Sequence, residues 1–150
     1  MKKRWESYVM YRQNEKLVEF WKEYYKDRPG AKVLFLLGKG FDPRMNNILK
    51  LFLENNPEQV LDCVAFDFPN GKDPADNKNL YEINSQQLAE LKDQYRFGYE
   101  KLQIDGSIPW DKRIAQMSRQ VRDKDLSAYD DVIMDISSLP RAFYLSLIHI

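Results

Sequence analysis

The chain has 150 residues, of which 43% are apolar and 31% are charged, and its 23 basic and 23 acidic side chains leave no formal net charge. This length suits one domain, and the apolar fraction is sufficient for a core, so a disordered chain is not expected. A balanced charge gives no electrostatic footprint for nucleic acid or for an anionic membrane. We therefore expect neither among the partners.

The single cysteine, the N-terminal sequence and the absence of a long apolar stretch indicate the cellular location. Cys63 lies in the apolar run VLDCVAFDF, so no disulfide can form within the chain and the thiol is expected to be a small buried hydrophobe. The start MKKRWESYVMYRQNEK is basic but lacks the apolar region of a signal peptide, and no stretch is long and apolar enough to span a membrane. These features predict a cytoplasmic protein.

The last six residues, LSLIHI at 145–150, resemble what one reading frame of a widely used sequencing adapter encodes. We therefore predict a non-native tail at 145–150, native sequence ending near Tyr144, and an N-terminal fragment of a larger, multidomain intracellular protein. The alternative is a genuine apolar helix or strand. His149, the only histidine, lies in this tail, so the remaining chain offers no imidazole as a base or metal ligand.

Aromatic and aliphatic side chains recur at helical spacing before Pro29 and Gly30, at Leu17, Val18, Trp21, Tyr24 and Tyr25. This spacing predicts an amphipathic helix within an N-terminal helical segment covering residues 1–30. Such a stripe packs into a core or forms a docking surface for a partner domain.

Unbroken apolar runs predict strands buried on both faces at 33–37 and 60–68, with a further strand at 131–136 and an ambiguous short one at 101–104. Helical patterns lie between them: one starting at Pro43 with Asp42 as N-cap, one at 81–97 capped by Asn84 or Ser85, and one at 111–125 behind an Asp111 cap. Residues 71–79 are polar and are expected to form an exposed loop. The alternation predicts an α/β domain over 31–144, with an open, mainly parallel sheet flanked by helices and truncated at its C-terminal end.

The turn after the first strand reads GKGFDPR and carries the first group of candidate ligand-binding residues. Gly38 and Gly40 permit positive backbone angles and close approach of a ligand, and the following helix would direct its amides at an anion. Lys39 and Arg44 are suited to phosphate or carboxylate, and Asp42 to a ribose hydroxyl or hydrated magnesium. The stretch matches no complete phosphate-binding motif, and a purely structural turn is the alternative.

The turn after the last strand reads DISSLPR and carries the second group. Asp135 lies near the end of an apolar strand, where a charged group is costly unless it is paired or used. Ser137 and Ser138 offer short donors and acceptors. The alternative is that one of them only caps the helix that Pro140 opens. Arg141 lies in the first helical turn, where the helix dipole disfavours a cation, which favours an anionic partner.

Ligands of open α/β sheets bind beyond the carboxyl ends of the strands, where the strand order reverses. In the strand order 3-2-1-4, the first and last strands are neighbours and the two turns face each other. Lys39, Arg44 and Arg141 would then form a basic rim around Asp42 and Asp135. A nucleotide or another phosphorylated small ligand fits this pattern best.

The stretches VLFLLGKGFDPR, VLDCVAFDF and DVIMDISSLPR together resemble Rossmann-like nucleotide-binding domains in general. The resemblance implies a doubly wound sheet and no particular cofactor, since the dinucleotide fingerprint is absent. Asp67, which ends the second strand, loosely matches the acidic ribose-binding position of such domains and is equally a strand-end turn residue.

Three functions remain open. The first is a nucleotide-binding module without catalysis. The second is a magnesium-dependent hydrolase or transferase acting on a nucleotide or phosphoester, with Asp42 and Asp135 as metal ligands or as base and nucleophile, and Arg44 or Arg141 stabilising developing charge. The third is an interaction scaffold that uses the aromatic N-terminal helix.

Overall fold

The structure is a computed structural model that describes residues 14–68 and 75–147. The elements in chain order are α1 (Asn14–Tyr25), β1 (Lys32–Lys39), α2 (Asn47–Asn55), β2 (Val60–Asp67), α3 (Ala75–Tyr95), β3 (Gly98–Gln103), α4 (Trp110–Arg122), β4 (Asp131–Met134) and α5 (Arg141–Leu147), with a 3-10 turn at Leu126–Ala128 before β4.

The four strands form one parallel sheet in the order β3-β2-β1-β4. β1 pairs with β2 along its whole length, from Lys32 opposite Val60 to Lys39 opposite Asp67. The chain then returns across the sheet so that β4 pairs with the other side of β1. This topology confirms the predicted open α/β sheet of Rossmann type, and the strand order 3-2-1-4.

Alternate residues of β1 enter two separate cores, one on each face of the sheet. Val33, Phe35 and Leu37 pack with residues of α1, α2 and α3. Leu34 and Leu36 pack on the opposite face with residues of α4 and α5. Because both faces are covered, β1 is apolar at every core position, which explains the unbroken run in the sequence.

Helix α1 confirms the predicted amphipathic helix and packs into the first core. Trp21 is buried, and its ring lies edge-on to Phe52 with centroids 5.0 Å apart. The Tyr24 hydroxyl donates to Asp131 Oδ1 at 2.6 Å, and Arg28 Nη1 lies 3.0 Å from Asp131 Oδ2. These contacts attach α1 to both α2 and β4. A partner domain on the helix stays a prediction, as do the domain bounds at residue 30 and at residue 144.

Helix α2 begins at Asn47, and the prediction that it starts at Pro43 behind an Asp42 cap is wrong. Asp42 Oδ1 accepts the Arg44 N–H at 2.9 Å, and the Asp42 carbonyl accepts the Met45 N–H at 3.0 Å. Asp42 therefore caps a tight turn that precedes the helix, which is the alternative use of an Asx side chain. The amino end of α2 is consequently set back from the Gly-Lys-Gly stretch.

Two further helix starts differ from the sequence prediction. Helix α3 begins at Ala75, so 75–79 are helical where a loop was predicted, and Asn84 and Ser85 lie inside the helix and do not cap it. Helix α4 has Pro109 at its N-cap position, and Asp111 lies within its first turn. The sequence ADNKN at 75–79 carries no apolar periodicity, which is why the start of α3 was missed.

The strand boundaries differ less from the prediction than the helix starts do. β1 extends through Gly38 and Lys39, β3 spans Gly98–Gln103 and not 101–104, and β4 ends at Met134. β3 is an edge strand with largely exposed or half-buried side chains, so its sequence lacks a continuous apolar run.

The C-terminal end of the described chain is helical. Leu147 ends α5 and packs with Phe143 in the second core. His149 lies outside the described residues, and the non-native origin of 145–150 stays a prediction. None of the helices within the described ranges combines the length and the apolarity needed to cross a membrane.

Candidate functional site

The ends of β1 and β4 meet at the carboxyl edge of the sheet, as the sequence predicted. Helices α2 and α3 cover one face and α4 and α5 cover the other, so the strand order reverses between β1 and β4. The Gly38 N–H donates to Ser138 Oγ at 3.1 Å and joins the two turns directly. This is the position at which open α/β sheets bind ligands. We call it the switch point.

Gly38 is required by packing within the chain. A Cβ at this position would lie 2.0 Å from the carbonyl oxygen of Ser138, whereas a Cβ at Gly40 would have no neighbour within 4 Å. Among the described glycines only Gly30 has a positive φ, so neither Gly38 nor Gly40 uses the positive backbone angles that a glycine permits. The absent side chain at Gly38 makes room for the turn after β4. Contact of either glycine with a ligand stays a prediction.

Asp42 and Arg44 form a two-point ion pair on the surface of the first turn. Arg44 Nε donates to Asp42 Oδ1 at 3.0 Å, and Arg44 Nη2 donates to Oδ2 at 2.8 Å. Hydrogen bonding from Arg44 lowers the pKa of Asp42, so the carboxylate is ionised near neutral pH. The Arg44 side chain is 65% exposed, so the pair adds little stability. The remaining N–H groups of Arg44 stay available to a ligand.

Asp135 is buried at the end of β4 and is only half satisfied. Its Oδ1 accepts the Ser137 N–H at 2.9 Å and the Ser137 hydroxyl at 2.6 Å. Its Oδ2 is also buried and has no hydrogen-bond partner among the described residues. Burial raises the pKa of Asp135, the bonds from Ser137 oppose this rise, and the charges of Asp42 and Arg44 shift it further in opposite directions. The two turns are therefore electrostatically coupled.

Ser137 and Ser138 already have hydrogen-bond partners within the fold, whereas Arg141 has no ion-pair partner in the described chain. Ser137 is bonded to Asp135, and Ser138 accepts from Gly38, so both have structural partners. Arg141 is exposed as the first residue of α5 and forms no ion pair within residues 14–68 and 75–147. Its cation is thus the one of the three predicted rim cations that this part of the chain leaves unpaired.

Asn84 holds the first turn in place and was considered in the sequence only as a helix cap. Its side chain is 2% exposed. Asn84 Nδ2 donates to the carbonyl of Gly40 at 2.9 Å and to that of Asp42 at 2.8 Å. The Asn46 side chain in turn donates to the Asn84 carbonyl at 2.9 Å. These bonds fix α3 over the turn that bears Asp42 and Arg44.

Lys39 belongs to a second group of charged residues at the carboxyl edge, and its place in the basic rim stays a prediction. Its Nζ lies 4.0 Å from Asp67 Oδ2, and Lys101 Nζ lies 3.7 Å from the same oxygen. The Tyr81 hydroxyl donates to Asp67 Oδ1 at 2.7 Å, and Lys39 Nζ lies 4.8 Å from the centre of the Tyr81 ring. We call Lys39, Asp67, Tyr81 and Lys101 the lysine cluster. The cluster lies at the ends of β1, β2 and β3, whereas the switch point lies between β1 and β4.

Two surface depressions, of about 240 and 250 Å³, lie near the amino ends of β2 and β3, where Asp62 and Gly98 line both. They contain none of the predicted site residues. No group of three or more metal-ligating side chains occurs within the described ranges. The chemistry-bearing residues therefore gather at the carboxyl edge, away from these depressions.

Comparison with known proteins identifies no family. No family model matches the chain, and no curated protein matches it. Solved structures with partial likeness include an NH3-dependent NAD synthetase from Campylobacter jejuni in complex with nitrate (14% identity, TM-score 0.35, covering 77% of this chain and 42% of that one). Another is the U34-tRNA thiolase NcsA from Methanococcus maripaludis with its [4Fe-4S] cluster (11% identity, TM-score 0.40, covering 80% and 46%). The chain spans less than half the length of either protein, and at these scores the likeness identifies no function.

Proposed function

We propose that the protein binds a phosphorylated small ligand of the nucleotide type at the switch point between β1 and β4. The observation that carries the proposal is the buried Oδ2 of Asp135, which has no partner among the described residues. A buried carboxylate oxygen without a hydrogen bond is costly, and native proteins retain such atoms mainly where a ligand, ion or water completes them.

The surrounding residues favour a ligand with both hydroxyl and phosphate groups. A ribose hydroxyl would donate to Asp135 Oδ2. Arg141, which is unpaired in the described chain, would contact a phosphate, and the free N–H groups of Arg44 would add a second contact. The remaining predicted residues, Gly38, Gly40, Asp42, Ser137 and Ser138, would shape the turns around the ligand.

Magnesium-dependent chemistry is the second candidate function. It is favoured by the presence of two carboxylates, Asp42 and Asp135, on the two turns that the hydrogen bond from Gly38 to Ser138 joins. Magnesium that arrives with a nucleotide needs only one or two protein carboxylates, because phosphate and water supply its other ligands. In this case Asp42 and Asp135 would hold the ion and Arg44 or Arg141 would stabilise charge on the phosphoryl group.

Calorimetric titration with ATP, ADP and AMP, with and without magnesium, tests the proposal. We expect saturable binding that weakens about tenfold or more in Asp135→Asn and in Arg141→Ala, because each removes a hydrogen bond that involves a charged group. Arg119→Ala is the matched control, since Arg119 is exposed on α4 away from the switch point.

Each outcome separates the three functions. Binding without release of phosphate supports the binding module, and magnesium-dependent release of phosphate that Asp135→Asn abolishes supports the enzyme. If no nucleotide binds, or if the control variant weakens binding as much as Arg141→Ala does, binding at the switch point is wrong and the scaffold remains. Placement in a larger cytoplasmic protein is a separate part of the proposal, tested by recovering the intact gene.

A further inference from the structure

The lysine cluster draws one side chain from each of three neighbouring strands. Lys39 and Asp67 are paired directly across β1 and β2, and Lys101 is opposite Ala65, two residues before Asp67. Since side chains two apart on a strand share a face, all three project to the face that α3 covers with Tyr81. The cluster therefore results from the sheet register and does not depend on surface loops.

The charges in the cluster do not balance. Two ammonium groups share one carboxylate, so the cluster carries one surplus positive charge. Neither ammonium reaches Asp67 at hydrogen-bonding distance, since 3.7 Å and 4.0 Å exceed the usual N–H···O range of about 2.7–3.2 Å. Asp67 Oδ1 is already occupied by Tyr81.

Lys39 is the more constrained of the two lysines. Its side chain is 12% exposed, whereas that of Lys101 is 46% exposed. Burial lowers the pKa of Lys39, Asp67 opposes this effect, and Lys101 lowers the pKa further. The half-buried Lys39 ammonium makes no hydrogen bond within the described chain, and the neighbouring Lys101 cation adds repulsion.

We propose that the lysine cluster is a binding site for a tetrahedral oxyanion, either inorganic phosphate or the phosphate of a phosphomonoester. Lys39 and Lys101 would each donate to its oxygens, while Asp67 and Tyr81 hold the two lysine side chains in place. A bound oxyanion would satisfy the free donors and remove the repulsion between the two ammonium groups. The oxyanion would enter from solvent past the half-exposed side chain of Lys101. This site goes beyond nucleotide binding at the switch point and does not depend on it.

Titration with inorganic phosphate and, separately, with ribose 5-phosphate tests the site. We expect phosphate affinity to fall about tenfold or more in Lys39→Met and in Lys101→Met, because each removes a charge-assisted hydrogen bond while keeping an unbranched side chain. Lys112→Met, on the exposed surface of α4, is the matched control and should bind as the unaltered protein does. Binding of phosphate alone identifies the free anion as the ligand, and at least tenfold tighter binding of ribose 5-phosphate identifies a phosphomonoester.

Further variants keep this test separate from that of the switch point. The fall in phosphate affinity that Lys101→Met causes should be the same in an Arg141→Ala background, because the lysine cluster and the switch point are separate sites. Lys101 is nearly half exposed, so Lys101→Met should fold even if Lys39→Met does not, and circular dichroism checks this. Absence of phosphate binding, equal binding in Lys101→Met and Lys112→Met, or a loss seen only in Arg141→Ala would overturn the site.

Discussion

The Gly38 N–H and the Ser138 hydroxyl join the carboxyl ends of β1 and β4 through one hydrogen bond of 3.1 Å, and the Ser138 carbonyl occupies the space that a side chain at position 38 would need. The two turns that the candidate ligand would contact are thus held together by the chain itself. Their relative position is fixed before any ligand binds, which reduces the ordering cost of binding.

Gly38→Ala should destabilise the protein by about 3 kcal/mol, because the added methyl group overlaps backbone that cannot move without displacing the turn after β4. Urea unfolding measures the loss. Gly40→Ala is the control and should change stability by less than about 1 kcal/mol, since the added methyl group meets no neighbour. Equal losses in the two variants would show that the turns do not pack as described.

Asn84→Ala should destabilise by about 2–4 kcal/mol, since it removes two hydrogen bonds from a buried side chain and leaves the Gly40 and Asp42 carbonyls without that donor. The unfolding free energy in urea gives the magnitude. Gln86 is exposed on the same helix and serves as the control, so Gln86→Ala should cost no more than about 0.5 kcal/mol. A loss of stability as small as that of the control would show that Asn84 does not hold the first turn in place.

Trp21→Ala should cost about 3–5 kcal/mol if α1 belongs to the core of the domain. The neighbouring Lys22 is exposed, and Lys22→Ala should stay within about 0.5 kcal/mol of the unaltered protein. Thermal and urea unfolding both report the difference. A near-neutral Trp21→Ala would instead favour α1 as a detachable docking surface for a partner domain.

Asp135 and Asp42 should give opposite pH dependence. Burial raises the folded-state pKa of Asp135, so its favourable contribution is complete below about pH 4, its ordinary range, and is lost as pH rises through the folded value. Asp135→Asn should therefore gain stability relative to the unaltered protein as pH rises above about 4.

The pKa of Asp42 is lowered, so its contribution is present above its ordinary pKa and is lost as pH falls through the folded value. Asp42→Asn should therefore lose stability relative to the unaltered protein as pH rises to about 4, with no further change above that pH. Urea unfolding at a series of pH values measures both trends. Stability differences that do not change with pH, or that change in the same direction for both variants, would contradict the assigned environments.

Apolar pattern predicted the central strands because β1 and β2 are covered on both faces. Alternation of strands and helices predicted the parallel sheet but not its strand order, and 3-2-1-4 was considered only as a condition for the site. The structure has this order, and it joins Gly38 to Ser138. The start of α2 was mistaken because Asp-Pro fits a helix entrance and a tight turn equally well. Here the turn was formed, with Arg44 bound to both oxygens of Asp42.

The lysine cluster could not be predicted from the sequence. Lys101 lies in an edge strand with no continuous apolar run, so neither its strand nor its face was defined in advance. The link between Lys39 and Asp67 depends on register, which sequence spacing across a helix does not specify. Lys39 lies in β1 itself, so its side-chain direction is set by the strand and not by the turn that the sequence suggested.

Mapping of amide chemical shifts in the isotopically labelled protein during titration with ADP and magnesium tests binding at the switch point most directly. We predict saturable changes in chemical shift concentrated in residues 38–44 and 135–141. In Asp135→Asn, the same amides should not change at the ADP concentration that saturates the unaltered protein. Changes confined to the amino edge around Asp62 and Gly98, or no saturable change at all, would contradict it.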